Sequence, residues 1–182
     1  MSADIEGGFM FFDNKDDPIS WFFQNLDKPR FSQAEVLLLA GDRLKPNTLQ
    51  NWTNRHYVKP KMVGGKRRYS ALEVAQILLA QPLVLNLEVD PSTATLIIVT
   101  AMLIFHRKLR SEELSLKEAP YLLSVFKKAI EDPIFIDSRK AALKAFETEE
   151  AFIVLPFGRL VNDLAKRQKE LVDSRLKIRK SG

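Results

Sequence analysis

The sequence predicts a mainly α chain, with a short unit of helix, turn, helix and basic hairpin at residues 31 to 80 and a larger helical part at residues 83 to 182. Three observations carry this expectation. Two S-x-x-E capping boxes, Ser32 with Glu35 and Ser70 with Glu73, each announce a helix, because both side chains accept hydrogen bonds from backbone N–H groups left free at its start. Between them Gly64-Gly65 signals a tight turn, and the arm leaving it carries Lys66, Arg67 and Arg68 in succession. Behind them lie segments with apolar residues at helical spacing, including a nearly continuous run from Leu96 to Phe105.

In order, the first helix of the unit has Val36, Leu37 and Ala40 as its buried stripe and stops at Gly41-Asp42. Pro46 with Asn47 and Thr48 starts the second, since proline suits the first turn, where no intrahelical bond is lost. There Leu49 and Trp52 share one side and leave Gln50, Asn51, Asn54 and Arg55 on the remaining surface. Amides bond bidentately to adenine and arginine to guanine, so these four are candidates for reading base edges in the major groove. A solvated polar face has the same spacing. The three hairpin cations suit phosphate oxygens. The helix capped by Ser70 places Leu72, Val74, Ile77, Leu78 and Leu79 on apolar positions and is expected to break at Gln81-Pro82.

This order of residues resembles the MerR family of bacterial regulators. The parts that carry the likeness are Thr48-Leu49-Gln50 with Trp52 behind them, Val58-Lys59-Pro60, and Arg67-Arg68-Tyr69-Ser70. The resemblance implies a winged helix-turn-helix whose second helix enters the major groove while the wing's arginine and tyrosine hold the DNA backbone. Carried over by position, it gives contact roles to Thr48, Arg68 and Tyr69. With Ser32 and Gln33 at the first helix start, the DNA-binding candidates are Ser32, Gln33, Thr48, Gln50, Asn51, Asn54, Arg55, Lys66, Arg67, Arg68 and Tyr69. Three positions depart from the family pattern: Gln50 stands where arginine is usual, Thr53 where an acid is, and His56 where glycine is. A similar domain occurs in phage excisionases and in small subunits of phage DNA-packaging machines. The implied partner is double-stranded DNA, and the first functional expectation is a transcriptional regulator. The alternative is an assembly or excision protein of a phage or mobile element, and a third reading is an interaction module that has lost DNA binding.

Charge follows the same division. The chain carries a formal +5, with −3 in residues 1 to 30, +5 in 31 to 80, −2 in 81 to 155 and +5 in 156 to 182. Basic clusters favour polyanions by releasing their counterions. The absence of cysteine excludes disulfides and thiolate metal sites and fits a reducing cytoplasm. Only His56 and His106 are present, neither with a partner at metal-ligand spacing, and Gly64-Gly65 lacks the rest of a phosphate-binding loop. No enzyme, cofactor or metal is therefore expected. The N-terminus has acids where a signal peptide has cations. The apolar run from Ala94 to Phe105 is too short for a hydrocarbon layer of roughly 30 Å, so a buried helix in a cytoplasmic protein is expected.

Residues 1 to 30 form an arm that mixes acids with Phe9, Met10, Phe11, Phe12, Trp21, Phe22 and Phe23, expected to pack on its own chain or on a partner subunit. Leu83 to Val89 alternates as a short strand or an extended linker. Asp90-Pro91 opens a helix of roughly Ser92 to Leu109, ended by His106-Arg107-Lys108 at the negative end of its dipole. Residues 111 to 131 read as one helix or a pair broken at Pro120, Ala141 to Phe146 as a helical stretch, and Ala151 to Leu155 as a strand or a buried helical turn. The last helix, Gly158 to about Ile178, spaces Leu160, Leu164, Arg167, Leu171, Ser174 and Ile178 by fours and threes. That seam serves packing on the chain's own core or a homodimer, and the basic residues around it are candidates for DNA contact. The C-terminal part is the expected surface for dimerisation, signal reception or a protein partner.

Overall fold

The computed structural model describes residues 16–119, 122–127, 134–136, 147 and 152–180. Its helices are α1 (Pro18–Gln24), α2 (Gln33–Ala40), α3 (Pro46–Asn54), α4 (Ala71–Leu87), α5 (Pro91–Arg110) and α6 (Phe157–Lys180). Its strands are β1 (Lys61–Val63), β2 (Lys66–Arg68), β3 (Leu123–Lys127), β4 (Ile134–Ile136) and β5 (Phe152–Leu155). The fold is mainly helical, as expected from the apolar periodicities.

Both capping boxes form. Ser32 accepts from the Glu35 amide and Glu35 accepts from Ser32 N at 2.7 Å, while Ser70 and Glu73 repeat the exchange with Ser70 N donating at 2.6 Å. Burial pushes the Glu73 carboxyl above the ordinary glutamate range, against the opposing pull of its bonds from Ser70. A single turn of 3-10 helix, Gly41–Arg43, links α2 to the segment before α3, and Gly41 takes φ +60°, which glycine adopts without strain.

The expected break at Gln81-Pro82 does not occur: α4 runs on to Leu87 with Pro82 inside it. A proline there forfeits one intrahelical bond and in a helix interior costs about 3 kcal/mol. Tertiary contacts offset the loss. Leu79, Ala80 and Leu83 are buried around it, and Gln81 Nε2 donates to Arg43 O at 2.9 Å, tying the helix to the turn after α2. Leu83 to Leu87 are therefore helical, not a strand or a linker.

Glu88, at φ +52°, ends α4, and Asp90 caps α5 by accepting from Thr93 N at 3.0 Å; the Thr93 side chain first, and this backbone bond second, hold its carboxyl below the usual range. The two helices pack against each other, with Ala94, Ile97, Ile98, Ala101, Met102, Phe105 and Leu109 of α5 buried. At 20 residues α5 extends beyond the apolar run Ala94 to Phe105 at both ends and is about 30 Å long at 1.5 Å per residue, so by length and composition it suffices to cross a membrane. A core helix passes the same test.

Residues 111–118 hold no helix, and Leu123–Lys127 is a strand. Strand β3 pairs antiparallel with β4 on one edge and β5 on the other, so Phe152–Leu155 also resolves as a strand and Phe135-Ile136 lies in one. The expectations at Phe9 to Phe12, Pro120 and Ala141 to Phe146 lie outside the described residues.

Trp21, Phe22 and Phe23 of α1 are buried on the chain's own core, as expected for that part of the arm. Phe23 meets Phe22 edge-on at 5.2 Å and lies 5.8 Å from Phe105, which in turn meets Phe157 edge-on at 5.7 Å. That aromatic chain joins α1, α5 and α6. Among the described residues, one cluster of buried side chains running from Ile19 to Val172 draws on residues 31 to 80 and on the helical part behind them alike. The buried side of α6 is Val161, Leu164, Ala165, Gln168 and Val172, offset from the expected seam: of the seam residues only Leu164 is fully buried, and Ile178 is 72% exposed.

Candidate nucleic-acid interface

Helix α3 turns Leu49, Trp52 and Thr53 inward. Its amphipathic spacing leaves Gln50, Asn51 and Asn54 exposed, with Arg55 exposed at the C-cap and Thr48 half-buried. The four residues expected to read base edges are thus all exposed. Beyond them His56 holds φ +60°, a left-handed conformation uncommon for a side-chain-bearing residue.

The hairpin is built as the glycines require. Gly64 and Gly65 at φ +57° and +74° give both central turn positions the positive φ of a type I′ turn, and β1 pairs with β2 in the register Lys61↔Arg68, Met62↔Arg67 and Val63↔Lys66. Lys66 is exposed, and Arg67 and Arg68 are half-buried. Arg67 Nη2 donates to Asn54 Oδ1 at 3.1 Å, which fixes the hairpin beside the outer end of α3.

Tyr69 is elsewhere than expected. Its side chain is completely buried, and its hydroxyl lies 3.2 Å from Thr53 Oγ1, which donates to Leu49 O at 2.9 Å. A hydroxyl has one proton to give, so Tyr69 is the donor of the pair. A direct phosphate contact by this tyrosine is therefore corrected to a core role: it packs the hairpin base onto α3. Its backbone is equally occupied, since Tyr69 N donates to Phe31 O at 2.7 Å and Tyr69 O accepts from Phe31 N at 2.9 Å.

That bridge places the N-terminus of α2 beside β2. Between them lies an open groove of about 730 Å3 that brings together Ser32, Gln33, Lys66, Arg67 and Arg68 from the candidate set, with Arg175 of α6 as a further wall. The one acid lining it, Glu35, is engaged twice, by the capping bonds and by Arg175 Nη1 at 3.1 Å. The groove is left with a cationic excess, to which the α2 N-terminus adds its dipole. A second groove, of about 780 Å3, lies between the end of α3, β1 and the α4–α5 pair. Its Arg55, Lys59 and Lys61 are countered by Asp27 and Glu73, so it is the less suited to a polyanion.

No family model matches this chain, and no curated protein resembles it closely enough to be matched.

The residue that sequence reasoning left out of the site is Arg175. It was one of several basic residues on the last helix, and nothing local singles it out. Its place is set by tertiary packing: Nη1 also donates to Arg30 O at 3.2 Å, and the guanidinium sits 5.7 Å from the centre of the Phe31 ring. Arg167 donates to Leu39 O and Gln168 Nε2 to Ala71 O at 3.3 Å, so α6 is hydrogen-bonded to both α2 and α4. Among the described residues no group of three or more His, Cys, Asp or Glu is placed to hold a metal ion.

Proposed function

We propose that this chain is a sequence-specific, DNA-binding transcriptional regulator of the MerR-like type, with α3 in the major groove and the β1–β2 wing on the phosphates. The observation that carries the reading is the bond from Arg67 of the wing to Asn54 of α3, which sets the exposed amides of that helix beside the wing cations. Polar side chains that bond base edges lie beside cations that neutralise phosphates, as this division of labour needs. The left-handed backbone at His56, where the family usually has glycine, supports the resemblance in backbone although the residue differs.

The test is binding of labelled duplex DNA as a function of salt, for the unaltered protein and Arg67→Ala/Arg68→Ala. Removing two phosphate-binding cations lowers the slope of log K against log salt by roughly 1.8, at about 0.9 per neutralised phosphate. Equal slopes, or no binding by either protein, remove the reading. Selection from a random duplex pool then separates a regulator, which enriches a defined operator, from the mobile-element reading. Recovery of a recombinase or packaging partner supports the latter. The packing of α6 on α2 and α4 favours a role for that helix within the subunit over a free dimerisation arm.

A further inference from the structure

Beside the hairpin groove lies a smaller pocket of about 270 Å3 lined by Arg30, Arg68, Val172, Arg175 and Leu176. Three arginines line it from three parts of the chain: the segment before α2, the end of β2, and α6. No carboxylate lines the pocket. Arg175 commits Nη1 to Glu35 and to the Arg30 carbonyl, but its Nε and Nη2, and Nε of Arg30, are buried with no hydrogen-bond acceptor among the described residues. Nε and Nη2 form one edge of the guanidinium fork, the geometry that takes two oxygens of a phosphate at once. Buried donors without acceptors are costly, and three like charges at one pocket repel, so an anion would relieve both.

We infer that this pocket takes a phosphodiester of duplex DNA next to the one held by the wing, and that Arg175 therefore makes α6 part of the DNA interface. The inference rests on the DNA-binding reading above and deepens it. A bidentate phosphate on Arg175 with Arg68 and Arg30 at its sides extends the wing's footprint along the backbone and makes binding depend on how α6 is seated. A ligand or partner that shifts α6 would then change DNA affinity without touching α3.

The test uses the full chain and the same salt titration with Arg175→Gln, Arg175→Lys and Leu176→Glu, and Arg67→Ala/Arg68→Ala as reference. The expected result for Arg175→Gln is a slope lower by roughly 0.9, the signature of one phosphate no longer neutralised, with Arg175→Lys keeping the slope but binding more weakly because the fork is gone. Leu176 is half-exposed, so Leu176→Glu sets a carboxylate at the pocket without breaking a bond, and its slope falls likewise even where Arg175→Gln impairs folding. If the reference variant flattens the slope while Arg175→Gln, shown folded by its thermal transition, and Leu176→Glu do not, the pocket is no phosphate site and the function stands. Absence of duplex binding by the unaltered protein overturns both. Thermal unfolding in inorganic phosphate against chloride at equal ionic strength adds the remaining outcome. A rise in midpoint for the unaltered protein but not for Arg175→Gln, with unchanged duplex slopes, assigns the pocket to a free anion and overturns the proposal.

Discussion

Replacement of Tyr69 by phenylalanine separates two roles for the same residue. The family resemblance assigns the tyrosine to the DNA backbone, whereas the fold buries it with its hydroxyl donating to Thr53 Oγ1 at 3.2 Å. Phenylalanine fills the same space, and Thr53 keeps its own acceptor at Leu49 O. The loss is one neutral hydrogen bond, about 0.5–1.5 kcal/mol net, which for a chain of this size lowers the melting temperature by roughly 1–6 °C. Thr53→Val removes the other partner and leaves a buried phenol without an acceptor, so it costs more, about 1–3 kcal/mol. Both effects are read from urea unfolding midpoints, and the salt slope of duplex binding is expected to stay that of the unaltered protein in Tyr69→Phe. A slope flatter by roughly 0.9 with unchanged stability would refute the core assignment, because only a phosphate contact gives that signature.

Three further outcomes follow from the packing. Ser70→Ala removes the capping oxygen of α4 and lowers stability by about 0.5–2 kcal/mol in urea unfolding; an unchanged midpoint would mean that the cap contributes nothing. Gly158→Ala would put its Cβ onto the backbone oxygen of Ala119, in a stretch already held by Gly158 N donating to Leu122 O at 3.0 Å, so a loss of about 1–3 kcal/mol or more is expected from thermal unfolding. His106 stacks on Phe23 with ring centres 4.8 Å apart, and burial, helped by the Arg110 charge against an opposing Asp27, holds its imidazole below the ordinary range. Between the unfolded value of about 6.5 and the lower folded one the unfolded chain binds more protons, so this contribution is present above pH 6.5 and is lost as pH falls through the folded value. Urea midpoints from pH 7 to 5 should decline less in His106→Gln than in the unaltered chain.

The parts legible in the sequence are those fixed by neighbours along the chain. A capping box spans four residues and a type I′ turn two, so Ser32, Ser70 and Gly64-Gly65 declared α2, α4 and the hairpin locally. Pro82 misled because its local cost is real, while what outweighs it is distant: Gln81 reaches Arg43 across 38 positions and the flanking residues are buried by other elements. Residues 111–127 misled for a related reason. Leu114, Leu116 and Leu122 have spacings that fit a helix, but the partners that make Leu123–Lys127 a strand, β4 and β5, come later in the chain and are short apolar runs whose type length alone does not decide. In the candidate site the exposed positions of α3 and the wing cations were readable from amphipathic spacing. Tyr69 was not, because its inward turn depends on Phe31 and Thr53, and Arg175 was not, because it reaches the groove from 145 positions beyond Arg30.

This arrangement changes what the charge distribution means. Two basic regions separated by an acidic stretch suggest a DNA-binding end and an independent basic tail. In the fold, α6 lies on α1 and α4, and its Arg175 shares a groove wall with Arg67 and Arg68, so part of the second positive region adjoins the first on one surface. The same helix bonds to Leu39 at the end of α2 and to Ala71 at the start of α4, the two helices that bracket α3 and the wing. A displacement of α6 must therefore either break these bonds or carry α2 and α4 with it. In the second case α2 and α4 shift against α3 and the wing, and on the proposed DNA-binding reading the spacing between the α3 amides and the wing cations is what such a shift would alter.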